Sequence, residues 1–140
     1  MMFSLRLFET ADIPAAIALW QNCPGVAADT ADSPERVAAF LAANPRLSFV
    51  AEVDEVLTGT VLCSHDTRRG FIYHLAVDPE ERRTGQGRAL ANAALRALAA
   101  AGVAKCHIHV LAENATARAF WSNIGWTSRR DIDTLSRLTG

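Results

Sequence analysis

Apolar and polar residues change their period along the chain, and each change marks an element. Phe3 to Phe8 alternates apolar side chains with Ser4 and Arg6, which predicts a first strand. Thr10 or Asp12 then caps a helix with Pro14 in its first turn, and Ile13, Ile17 and Trp20 recur at helical spacing. Asn22 to Val26 breaks that pattern, and Ala27 to Asp32 is small and acidic. Ser33-Pro34 starts a second helix with Val37, Phe40 and Leu41 inward, and Asn44-Pro45 stops it. Leu47 to Val53 alternates again, Asp54-Glu55 turns the chain, and Val56 to Ser64 returns as a strand in which Gly59 suggests a bulge. A polar turn through Gly70 leads into Phe71 to Val77, an almost continuous apolar run that suits a strand covered on both faces.

Asp78-Pro79 ends that strand, and a long alanine-rich helix follows two glycines. Leu90, Ala94 and Leu98, with Ala91 and Leu95, form its apolar stripe, and Gly102 closes it. Lys105 to Leu111 reads as a strand. A strand, a crossing helix and another strand make the runs at 71–77 and 105–111 parallel neighbours. Asn114 opens a further helix with Ala117, Phe120, Trp121 and Ile124 inward and Gly125 at its end. The remainder, Gly125 to Arg130 and Ile132 to Leu138, reads as a closing hairpin with Asp131 at the bend. The expected architecture is one α/β (α+β) domain over residues 1–140, a mixed central sheet of about seven strands with four helices.

Composition narrows the function. The 140 residues are 50% hydrophobic, enough for a proper core, and 14 basic against 15 acidic residues give a formal net charge of −1. Such a balance offers no field for nucleic acid or an anionic membrane. No apolar run approaches the ~20 residues of a membrane span, and no secretory signal pattern opens the chain, so a cytoplasmic protein is expected. Cys23, Cys63 and Cys106 lack metal-site spacing and read as free thiols; no metal is expected.

The chemistry gathers where the central strand meets the long helix. Gly85 and Gly87 remove two Cβ atoms at the helix start, so consecutive amides there can face an anion with the positive helix end behind them. Arg82, Arg83 and Arg88 add positive charge around that point, and a diphosphate is the natural guest. The loop has no Gly-Lys-Ser/Thr, and Leu90 stands where a dinucleotide fingerprint has its third glycine, which argues against a P-loop and a Rossmann domain. Parallel strands that diverge beyond their C-terminal ends would leave a crevice for an extended cofactor beside Leu75, Ala76 and Val77.

Arg82-x-x-Gly85-x-Gly87, after Leu75-Ala-Val77 and an Asp-Pro turn, resembles the acetyl-CoA signature of the GNAT superfamily of N-acetyltransferases. Asn114-Ala-Thr-Ala-Arg-Ala-Phe-Trp-Ser-Asn-Ile-Gly-Trp126 is similar to the late Asn-x-x-Ala-x-x-Phe-Tyr block of that family. A narrower likeness to small bacterial members of the YpeA type lies in Ala18 to Cys23 and Arg69 to Tyr73. The resemblance covers essentially the whole chain and implies a GNAT-like fold with a parallel strand pair splayed around coenzyme A. It implies acetyl-CoA as cosubstrate and transfer of its acetyl group to a primary amine, on a small molecule or a peptide N-terminus. Cofactor contacts would fall to Leu75, Ala76, Val77, Arg82, Arg83, Thr84, Gly85, Gln86, Gly87, Arg88, Asn114 and Phe120, with an amide near Val77 stabilising the oxyanion.

The proton-transfer groups stay open at this level. His109 lies where relatives that acetylate ribosomal protein N-termini carry a glutamate, and it shares a strand face with His107. His74 competes with it, and either histidine would equally serve as a satisfied structural residue. Trp121 stands where many relatives place a tyrosine acid, and an indole N–H releases no proton at usable pH. Tyr73, the single tyrosine, is left as the candidate acid or as packing. Asn22 to Asp32 would wall the acceptor, with Asp29 and Asp32 attracting a cationic amine. The alternative function is an acyl-CoA-binding module of the same fold without catalysis. An exposed strand edge would let two copies pair as a homodimer.

Overall fold

In the computed structural model, which describes residues 2–26 and 30–140, five strands form one sheet in the order of the chain. They are β1 (Ser4–Leu7), β2 (Phe49–Val53), β3 (Val56–His65), β4 (Gly70–Val77) and β5 (Cys106–Ile108). Neighbours from β1 to β4 are antiparallel, and β5 runs parallel to β4. All five belong to a unit spanning Met1–His109; Val110–Gly140 forms a second unit.

α1 (Ile13–Gln21) begins after Asp12 with Pro14 in its first turn, but the cap expected from Thr10 or Asp12 is not formed: the Asp12 carboxylate is taken by Arg6 and the Glu9 amide. α2 (Pro34–Ala43) begins after Ser33, whose hydroxyl accepts the Arg36 amide. Phe8, Ile13, Leu19, Trp20 and Val37 pack on Val50, Leu62 and Ala76 to make one core. α3 (Gln86–Ala100) covers the opposite face, because alternation along the strands turns Gly59 and Gly70 away from that core. These glycines set how closely α3 approaches. A Cβ at Gly70 would lie 2.6 Å from Leu98 Cδ1, and one at Gly59 would lie 3.0 Å from Leu90 Cδ1.

The irregularity expected at Gly59 falls beside it. Ala51 pairs with Gly59 and Glu52 with Leu57, so Thr58 is the extra residue. A second bulge sits opposite Val61, where Thr60 pairs with Ala76 and Leu62 with Tyr73, so that His74 and Leu75 on β4 together face the one residue Val61.

Three expectations need correction. The described residues form five strands, not seven, since 125–130 and 132–138 make no hairpin. Ile132, Leu135 and Leu138 are spaced by three with Asp133 and Arg137 among them, so no face alternates, and all three side chains are exposed. β5 spans only Cys106–Ile108 of the run expected at 105–111. β4 is not covered on both faces: Ile72 and Ala76 are buried, but Tyr73 is 40% exposed.

Within the second unit, Asn114 Oδ1 accepts the Ala117 amide at 3.0 Å and starts α4 (Ala115–Asn123). Gly125, at φ 101°, takes the left-handed turn after it. Trp121 is buried edge-on to Phe120 and Trp126.

Candidate active site

Between β4 and α3 the backbone alternates in hand. Asp78 Oδ1 accepts the Glu80 amide and holds a single turn of tight helix at Pro79–Glu81. Arg82 is extended, Arg83 is left-handed at φ 67°, and Gly85 is left-handed at φ 91° where α3 begins. Such alternation turns successive N–H groups toward one side. Among the described residues none of the amides from 83 to 88 has a protein acceptor, and no side chain caps the helix. The first amide to bond backward is Ala89, to the Gly85 carbonyl at 3.0 Å. A Cβ at Gly85 would meet nothing within 4 Å, so backbone conformation and not space calls for glycine there. Arg82, Arg83 and Arg88 are exposed around the loop, and the Thr84 hydroxyl donates to the Glu81 carbonyl at 2.7 Å.

Gln86 is the one member whose side chain turns inward. It is 1% exposed, its Oε1 accepts from the Thr58 hydroxyl at 2.9 Å, and its Nε2 has no partner among the described residues. Only its backbone amide belongs to the cradle.

β4 carries the site away from the loop. Its pairing with β5 covers Gly70 to Ile72 only, so beyond Ile72 the edge of Tyr73, His74, Leu75, Ala76 and Val77 on that side has no strand partner among the described residues. The bulge turns His74 left-handed, at φ 48°. Its Nε2 lies 2.8 Å from Asp32 Oδ1, and its ring packs on Trp20 with centroids 4.7 Å apart. The Trp20 indole donates to the Thr60 hydroxyl, which donates in turn to the His74 carbonyl, both at 2.9 Å. His74 is therefore held at ring and backbone together.

Tyr73, on the same face, stacks on Phe71 and meets Phe40 edge-on. His107 and His109 also lie against Phe71, with centroids 5.5 and 5.3 Å away, so the shared face expected for them is observed. Asp32 is paired with His74; Asp29 lies outside the described residues. Asn114 and Phe120 belong to the second unit, where Asn114 caps α4 and Phe120 is half-buried against Trp121.

Besides the inward turn of Gln86, two features escaped the sequence. Cys23 Sγ lies 3.7 Å from the Val77 carbonyl at the end of β4; burial pushes its thiol up, opposed by Arg82. The His74–Asp32 contact joins residues 42 apart, and no spacing rule announces it.

A run of free amides with a cationic rim, continuous with an unpaired strand edge, is a fit for an extended anionic cofactor. Residues 13–126 match the acetyltransferase (GNAT) family. The chain belongs to that family. An acetyltransferase of Pectobacterium atrosepticum is 33% identical over 110 residues, covering 79% of this chain and 77% of that protein. The ribosomal-protein-S18-alanine N-acetyltransferase of Escherichia coli superposes with a TM-score of 0.74 at 27% identity, over 89% of this chain and 77% of the other. The PaiA N-acetyltransferase of Thermoplasma acidophilum, in complex with coenzyme A, gives a TM-score of 0.84 at 17% identity, over 95% and 94%. This GNAT chain is thus an acyltransferase with the fold of N-acetyltransferases. Among the described residues no group of three His, Cys, Asp or Glu could hold a metal ion, and no helix is long and apolar enough to cross a membrane.

Proposed function

We propose that this protein is an acetyl-CoA-dependent N-acetyltransferase that passes an acetyl group to a primary amine by direct attack. The observation that carries the reading is the set of unpaired amides from Arg83 to Arg88 leading into the unpaired edge of β4. Those amides would hold the cofactor's diphosphate, with Arg82, Arg83 and Arg88 around it. The edge at Leu75, Ala76 and Val77 would pair with the amide groups of its pantetheine arm. When bound, the cofactor supplies an acetyl thioester. The chain must then supply an N–H donor for the carbonyl oxygen, which an edge amide near the bulge can give, and a group that takes the amine proton. Tyr73, 40% exposed on the same strand, is the candidate donor to the departing thiolate.

An amine acceptor is supported by the E. coli neighbour, whose name gives a protein alanine as its substrate. The aromatic face of Phe40, Phe71 and Tyr73 with His109 is where this acceptor would lie. The test is calorimetry with coenzyme A and acetyl-CoA, followed by thiol release from acetyl-CoA with a panel of amines, peptides and aminoglycosides. Binding with turnover on some acceptor is expected. Binding without turnover on any acceptor would favour the second reading, an acyl-CoA-binding module, for which the burial of Trp121 in an aromatic cluster speaks.

A further inference from the structure

His74 is the most constrained polar residue of β4, and its constraints converge on one ring nitrogen. It occupies a left-handed conformation at φ 48°, which residues with a Cβ adopt only against a steric cost. Outliers of that kind persist where the surroundings enforce them, and here they do so from two sides. Thr60, itself fully buried and bonded to Trp20, accepts the indole N–H and holds the His74 carbonyl, while Trp20 covers the ring. From the turn before α2, Asp32 meets Nε2 at 2.8 Å with both side chains largely buried. Among the described contacts Asp32 is the charged group facing the ring; Trp20 and Thr60, from α1 and β3, do not titrate, and Tyr73 is its neighbour on β4.

A carboxylate only accepts hydrogen bonds, so this contact places a hydrogen on Nε2, and in the neutral ring the lone pair is then on Nδ1. The bulge places this residue two positions beyond Ile72, where β4 loses its partner, and three residues before Val77, about 10 Å along the strand. An extended cofactor anchored after Val77 would bring its thioester end into that stretch.

We propose that His74 is the proton acceptor of the transfer and Asp32 its positioning residue. The inference rests on the acetyl-transfer reading. In the step, the amine nitrogen bonds to the thioester carbonyl carbon, the C–S bond breaks with its electron pair on sulfur, and the amine proton passes to His74 Nδ1 and on to solvent. His109, exposed at the end of β5 against Phe71, is then part of the acceptor wall and not the base.

The test uses nitrogen-15 spectra of the histidine rings in the free protein and in complex with 2-oxopropyl-coenzyme A, a ketone analogue that cannot transfer its acyl group. Expected are the Nε2–H tautomer for His74, its loss in Asp32→Asn, whose amide can donate where the carboxylate cannot, and a nuclear Overhauser contact between the analogue's terminal methyl and the His74 ring. A His74 ring that carries its hydrogen on Nδ1, a tautomer indifferent to Asp32→Asn, or a methyl contact to His109 with none to His74 would overturn the assignment. Failure of coenzyme A itself to bind in calorimetry would instead remove the acetyl-transfer reading, so the two failures are told apart.

Discussion

Gln86 and Thr58 form the polar link between the first turn of α3 and β3, and they allow a prediction opposite to the usual effect of breaking a buried hydrogen bond. Thr58→Val removes the donor at 2.9 Å and leaves both polar atoms of the Gln86 amide buried without a partner. That costs about 1–3 kcal/mol. Gln86→Leu loses a bond worth about 0.5–1.5 kcal/mol net, but it also removes an Nε2 already unpaired, whose burial costs about 1–3 kcal/mol. The Thr58 hydroxyl keeps a long contact to the Ala51 carbonyl at 3.4 Å, so this variant should lie within about 1 kcal/mol of the parent. Turning the amide over exchanges which atom is unpaired and leaves the sum unchanged. The double variant has no unpaired group and nearly the same volume, so it should equal or exceed the parent. A coupling of about 1–2 kcal/mol in its favour follows. Urea unfolding of the four proteins, followed by far-ultraviolet circular dichroism with the denaturant slope held constant, measures it. Additive single effects, or a double variant destabilised by more than about 2 kcal/mol, would refute the reasoning.

Other consequences can be checked one by one. Burial pushes the Cys63 thiol up to about 12 and that of Cys106 to about 11, so at pH 8 the Cys106 thiolate is about one part in a thousand. Both should be silent to a disulfide reagent in the native protein and react at once in urea, with Cys106 appearing before Cys63 as pH is raised. The guanidinium of Arg6 bonds both Asp12 oxygens at 2.7 Å and holds that carboxyl below its usual range. A lowered folded value means that this stabilisation is present above the unfolded value near 3.8 and is lost as pH falls through the folded one. Asp12→Asn should therefore lower stability at pH 7 and flatten its decline below pH ~4, as read from urea midpoints across pH. Asn114→Ala removes the cap of α4 and should cost about 1 kcal/mol, with helix signal lost on milder heating.

Where local chemistry decided the backbone, the chain could be read directly. Ser33 before Pro34 and Asn114 before Ala115 cap the helices they were expected to start, and Gly85, Gly102 and Gly125 take left-handed turns at helix ends. The parallel pair followed from a helix inserted between two apolar runs. The hairpin expected after Gly125 does not form: β-branched and leucine residues suggest strands, whereas a strand needs a partner and an alternating face, which Ile132, Leu135 and Leu138 lack. At the site, the glycines and arginines of the loop were visible in advance, and so was the shared face of His107 and His109. The pairing of His74 with Asp32 was not, because it depends on a bulge that shifts β4 by one position and on a turn that ends just before α2. The inward side chain of Gln86 was hidden for a like reason: helical phase at a first turn is set by packing on Gly59, not by the loop motif.

The most direct measurement follows the backbone amide resonances of residues 83 to 88 while coenzyme A, and separately pantetheine, is added. If these N–H groups clasp the diphosphate, they shift with coenzyme A and stay in place with pantetheine, which has none. Amides that remain unmoved by saturating coenzyme A, or that move equally with both, would contradict the account.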